Sequence, residues 1–128
     1  MSAAWTGPVP TRQEMADKAV RGLAGQGWMP AAVNGMCLYL TKDGRRCAWG
    51  HVDPQGTAGC LGDVISLAAA GVGLAARLTK DDCLFASRLQ RAHDRTRGPG
   101  ELYRAMRNFY AAKGLTWPKD VTGPEVTP

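Results

Sequence analysis

Cys37-Leu-Tyr39-Leu-Thr-Lys-Asp43-Gly44-Arg-Arg-Cys47-Ala-Trp49-Gly-His51 is the stretch whose reading decides the fold. An Asp-Gly pair between runs rich in apolar and aromatic side chains is a strong hairpin signal. Two registers are open. If Asp43-Gly44 is a two-residue loop, Leu40 faces Cys47, and Cys37 falls on the opposite face from Cys47. If Lys42-Asp43-Gly44 is a three-residue loop with Gly44 left-handed, Thr41 faces Arg45 and Tyr39 faces Cys47. Cys37, Tyr39, Cys47, Trp49 and His51 then share one face. Lys-Asp-Gly suits a type I turn closed by a left-handed glycine, which favours the second register.

Helix signals flank the predicted hairpin. Thr11-Arg-Gln-Glu14 is a capping box, and Met15, Ala19 and Leu23, with Ala16 and Val20 beside them, form the apolar stripe of a first helix that ends at Gly25 and Gly27. Trp28 to Gly35 reads as a connector, and Asp53 to Gly59 as a loop. Asp63 can cap a short apolar helix over about 64–70. Leu74 to Leu78 reads as a further turn. Thr79-Lys-Asp-Asp82 opens a helix to about Arg95 with Phe85, Ala86, Leu89 and Ala92 inward. After the break at Arg97-Gly-Pro-Gly100, a last helix runs from about Glu101 to Lys113, with Leu102, Met106 and Phe109 in phase and a Schellman stop at Gly114-Leu115. The expected class is therefore α+β, with about four helices packed around one small antiparallel β-hairpin. Residues 1–10 read as a flexible lead, 11–117 as a single globular domain, and 118–128, rich in Pro, Thr and Gly, as a disordered tail.

With 128 residues, 45 % apolar and 21 % charged, the chain can bury a core of its own. The N-terminus has neither a basic stretch nor an apolar one of the kind a secretory leader needs. The longest uncharged run, Val64 to Ala76, is far short of the roughly 20 residues a spanning helix requires. These features predict a cytoplasmic protein with no membrane partner. Cys37, Cys47, Cys60 and Cys83 form no Cys-x-x-Cys pair, so in a reducing compartment they read as free thiols or metal ligands rather than disulfides.

The net charge is +5, and it is concentrated. Residues 88–113 carry Arg88, Arg91, Arg95, Arg97, Arg104, Arg107 and Lys113 against Asp94 and Glu101. Arg88, Arg91 and Arg95 share one helical face, and Arg104 and Arg107 share another. On neighbouring helices the five arginines form one basic plate, with Tyr103 and Tyr110 as aromatic contacts. Such a plate suits an anionic partner, either nucleic acid or an acidic protein surface. The bland alternative is a solvated helix face on a basic protein.

Other groupings carry possible chemistry of their own. Cys37, Cys47, His51 and His93 (or Cys60) are donor types for tetrahedral zinc, against the alternative that both hairpin cysteines pack as small apolar residues. The favoured reading has no cofactor. Cys60, just before a predicted helix, has the setting of a nucleophile with His51 or His93 as base. His93-Asp94 has the form of a metal-phosphohydrolase pair but lacks further histidines, so a structural histidine is the default. Gly56, Gly59 and Gly62 lack the lysine and hydroxyl residue of a phosphate loop.

The ordered set Cys37-Leu-Tyr39, Asp43-Gly44, Cys47-Ala-Trp-Gly50, Leu89-Gln-Arg-Ala-His93-Asp94 and Gly114-Leu115 resembles a group of small uncharacterised proteins of bacteriophages, prophages and plasmids. It spans about residues 11 to 115. The chain departs from that pattern after Gly50, where His51-Val-Asp53-Pro54 replaces a Leu-Ile-Pro-Asp-like stretch. The resemblance implies a mobile-element origin. Together with the basic plate it leads to a non-enzymatic binding protein acting stoichiometrically on a host or phage nucleoprotein, for instance as an anti-defence inhibitor of the anti-CRISPR kind. Direct nucleic-acid binding or transcription regulation is the alternative, and a zinc- or thiol-dependent enzyme the third.

Overall fold

The structure is a computed structural model that describes residues 4–33, 36, 37, 39–57 and 63–124. In chain order it contains α1 (Arg12–Gly25), the short strands β1 (Ala32–Val33) and β2 (Met36–Cys37), α2 (Ala48–Val52), α3 (Val64–Ala69), a 3₁₀ turn (Leu74–Arg77), α4 (Lys80–Asp94) and α5 (Pro99–Lys113). No helix among the described residues is long and apolar enough to cross a membrane.

The fold is helical, which corrects the expected α+β arrangement around a hairpin. The turn at its tip does form. Gly44 has φ 88°, its N–H donates to the Thr41 carbonyl at 3.1 Å, and the Thr41 N–H donates to the Arg45 carbonyl at 2.8 Å. The ladder stops one residue later, because a side chain replaces the partner strand. The Gln26 amide accepts from the Arg46 N–H at 2.9 Å and donates to the Arg46 carbonyl at 2.8 Å. The chain then turns into α2 at Cys47, whose Sγ accepts the Gly50 N–H at 3.4 Å. Strand pairing among the described residues is confined to Ala32↔Cys37 and Val33↔Met36, so Cys37 pairs with the connector before it and not across the Asp43-Gly44 turn.

Local chemistry explains the helix ends. At α1 the Thr11 hydroxyl accepts the Glu14 N–H while the Glu14 carboxylate accepts the Thr11 N–H. Asp63 and Thr79 accept the Ser66 and Asp82 N–H groups in the same way. α5 begins at Pro99 and ends on left-handed Gly114, with Leu115 N–H donating to the Tyr110 carbonyl at 2.9 Å.

α1 buries Met15, Ala16, Ala19, Val20 and Leu23. Against that face lie α2, with Trp49 and Val52 fully buried, and α4, with Phe85, Ala86 and Leu89. α5 adds Leu102, Met106 and Phe109. The Phe85 and Phe109 rings are 5.3 Å apart and lie equally far from the Arg95–Pro99 turn, so α4 and α5 form an antiparallel hairpin of helices.

The segments read as a flexible lead and a tail make specific contacts where they are described. Trp5 lies under the Lys18 ammonium, and its carbonyl accepts from Arg77 at 3.2 Å. Val121 is buried. Arg21 grips Asp120 at 3.0 Å, and the Trp28 indole N–H donates to the Thr122 carbonyl at 2.9 Å. Trp28 itself is a non-glycine residue in the left-handed region, φ 62°, held there by its burial between α1 and this segment.

Candidate functional site: a basic groove between two helices

α4 presents Arg88, Arg91 and Arg95 along one exposed line, as the i, i+3, i+7 spacing requires. Seven residues of helix set the first and last about 10 Å apart along the axis. Beside them runs an open groove of about 470 Å³ between α4 and α5. Ala92, Ala105, Phe109 and Ala112 give it an apolar surface, and Asn108 and Lys113 line it from α5. None of the three arginines, nor Lys113, forms an ion pair with a described residue. Arg12, Arg21 and Arg45, by contrast, are each taken up by an aspartate. The α4 guanidinium groups are therefore open to an external anion.

The single plate of five arginines and two tyrosines is not what the fold builds. Arg104 and Arg107 are exposed but do not line the groove. The Arg107 guanidinium sits 4.8 Å from the centroid of the Trp117 ring, a cation–π contact. Tyr103 packs edge-on against Trp28 and Trp117, with centroids 5.2 and 5.7 Å away. Tyr110 is 2 % exposed and donates its hydroxyl proton to Asp17 at 2.6 Å. Burial and that carboxylate push its phenol well above the usual range. Tyr110 is a core group, and Tyr103 is partly buried against the core. Periodicity alone places them on the helix, but it does not show that the segment after α5 folds back over that side.

The proposed zinc ligands are separated in role. His93 is fully buried; its Nε2 accepts the Ala31 N–H at 3.0 Å, and Nδ1 faces Asp94 at 3.1 Å. The acceptor role of Nε2 fixes the proton of the neutral ring on Nδ1. Asp94 also accepts from Gln90, whose carbonyl takes the Trp49 N–H at 2.8 Å. This chain of hydrogen bonds ties α4 to α2 and to the connector before β1. His51 bonds the Gln26 amide oxygen through Nε2 at 2.8 Å, and burial, then the positive charge of Arg46, lowers its pKa to about 4. Cys47 caps α2. Among the described residues no three His, Cys, Asp or Glu side chains come together as a metal set. The side chain of Cys37, all of Cys60 and two glycines of the Gly56, Gly59, Gly62 series lie outside the described residues. The buried Cys83 thiol has its pKa raised by desolvation, which suppresses thiolate chemistry.

Asp53 escapes a sequence reading. It is 3 % exposed, accepting the Gly56 N–H at 3.0 Å through one oxygen and the Leu74 N–H at 2.8 Å through the other. A Cβ at Gly56 or Gly73 would overlap this carboxylate. Gly56, three residues after Asp53, is the local signal of it, and Gly73, which meets the same carboxylate, comes from a distant part of the sequence.

No protein-family model, curated protein or solved structure matches the chain.

Proposed function

We propose that this is a small binding protein of a phage-like element, without enzymatic activity, that acts stoichiometrically on a host or phage nucleoprotein in the bacterial cytoplasm. An anti-defence inhibitor of the anti-CRISPR kind is the concrete form. The supporting observation is the line of Arg88, Arg91 and Arg95, without an ion pair among the described residues and joined by Lys113 around an open groove. Four cations gathered around one groove, with no ion pair to a described residue, favour an external anionic surface and speed encounter with it. The order of short motifs shared with phage and prophage proteins supports the origin.

The alternative is direct binding to DNA or RNA, for which the same guanidinium line is suited through phosphate contacts. Affinity co-purification of wild type and of Arg91→Glu/Arg95→Glu from nuclease-treated bacterial lysate separates the two. The inhibitor reading expects one stoichiometric protein complex with wild type and its loss with the double reversal. Naked duplex bound tightly, with a log–log salt slope of about −3 as expected for three or four phosphate contacts, replaces it with the nucleic-acid reading. Retention of the complex by the double reversal removes both.

A further inference from the structure

We propose that the groove between α4 and α5 receives an acidic amphipathic α-helix of the partner protein. This rests on the reading of the α4 edge as a binding face and specifies what that face holds.

Three features select a helix over a phosphate backbone. The first is the groove surface. Ala92, Ala105 and Ala112 have only a methyl group each, and Phe109 beneath them is 8 % exposed. Small residues between two antiparallel helices let a third approach within the usual 8–10 Å interaxial distance. A phosphodiester chain gains nothing from methyl groups, whereas an apolar stripe does.

The second is where the charge sits. Arg88, Arg91 and Arg95 line the groove from α4 and Lys113 from α5, together with the alanines and Phe109. That arrangement matches a helix with an apolar stripe at i, i+3/i+4, i+7 and carboxylates alongside. Ala105, Phe109 and Ala112 on α5 have the same spacing, and Leu84, 37 % exposed, continues the α4 line one turn earlier. The third is how little aromatic face is offered for base stacking, since Phe109, which lines the groove, is largely buried. Tyr103 and Tyr110, the aromatic candidates for stacking, are spent on Trp28, Trp117 and Asp17, and single-stranded nucleic acid is held largely by such stacking.

The test is selection of displayed helical peptides of about 18 residues, five turns, on the full chain. Enriched peptides are then titrated by fluorescence anisotropy against wild type, Arg88→Glu/Arg91→Glu, and the groove-filling variants Ala112→Trp and Ala105→Phe. Ala112 is exposed, and unchanged thermal melting confirms that each variant is folded. The expected peptides carry Asp or Glu beside an apolar stripe, and the charge reversal and each groove filling weaken them about tenfold or more. Enrichment of no helical peptide, peptides without acidic residues, or full affinity on both groove-filled variants overturns the inference. A 20-base-pair duplex is titrated in parallel. Duplex binding lost on arginine reversal but untouched by Ala112→Trp overturns the helix while leaving the basic face standing. A natural partner complex that survives arginine reversal fells the basic face as well.

Discussion

The His51 imidazole lies directly on Gly22, so that a Cβ at Gly22 would overlap the ring at Cγ and Nδ1 and crowd the Cβ that carries it. This contact sets how closely α2 lies on α1. Gly22→Ala should gain up to about 1 kcal/mol in helix propensity, yet the clash should make it destabilising by about 1–3 kcal/mol. In a His51→Gly background, which removes the ring and the Cβ together, the same substitution should be neutral or stabilising. Urea unfolding of the four proteins checks this; equal effects of Gly22→Ala in both backgrounds would show that the ring does not set the spacing.

His51 also predicts an acid sensitivity. Its folded pKa of about 4 lies below the ordinary 6.5, so the unfolded chain binds a proton that the fold rejects. The stability tied to the neutral ring is complete above about pH 6.5 and declines as pH falls toward about 4. With screening at the exposed edge of the ring, the effect is on the order of 1–2 kcal/mol. His51→Gln should flatten the decline in urea midpoint over that window, and an NMR titration of the wild-type imidazole should show no protonation at pH 5.5.

Tyr110 is expected to matter for stability and not for binding. Tyr110→Phe removes the hydrogen bond to Asp17 and should cost about 1–2 kcal/mol. Partner affinity should stay at the wild-type level, in contrast to Arg91→Glu. In an alkaline titration followed by phenolate absorbance, the Tyr110 signal should appear only with unfolding, because burial and Asp17 hold the proton on. A loss of affinity in Tyr110→Phe with wild-type stability would return this residue to the binding face.

Asp53 should be among the costliest single polar sites to lose. Asp53→Ala strands the Gly56 and Leu74 amides in the interior, for about 2–5 kcal/mol together. Asp53→Asn keeps one acceptor oxygen and should lie between. Thermal unfolding orders the three proteins, and hydrogen exchange should speed up at Gly56 and Leu74 in both variants.

Much of the helical frame is legible in the sequence, because caps and stops act over three to five residues. Thr11, Asp63, Thr79 and Gly114 each mark an end that the structure observes. The arginine line on α4 is legible for the same reason, since it needs only the helical period. The misreading falls at Cys47 to His51. A one-and-a-half-turn helix with Ala48, Trp49, Gly50 and Val52 all buried shows no period to distinguish it from a strand. What makes it a helix comes from elsewhere: Gln26 occupying the Arg46 backbone, Gly22 leaving room for His51, and Gly50 passing the Tyr39 carbonyl, which a side chain there would strike. The site was half legible for a related reason. Spacing tells which residues share a face of α5, but not that Trp117 and Val121 would cover one of those faces.

The bond from the Trp28 indole to the Thr122 carbonyl has a consequence for synthesis. The two residues are 94 positions apart, and the interior around Trp28 is roofed by the segment containing Thr122. While the chain is still being made, that segment is inside the ribosomal tunnel after α1 has emerged, and the indole faces water with its donor unspent. The helices can collapse on one another at that stage, but this side of the domain closes only after Thr122 is released. A stop codon placed just before Lys119 would therefore yield a chain held in its nascent, half-sealed form, a target for chaperones and proteases even though every helix is present.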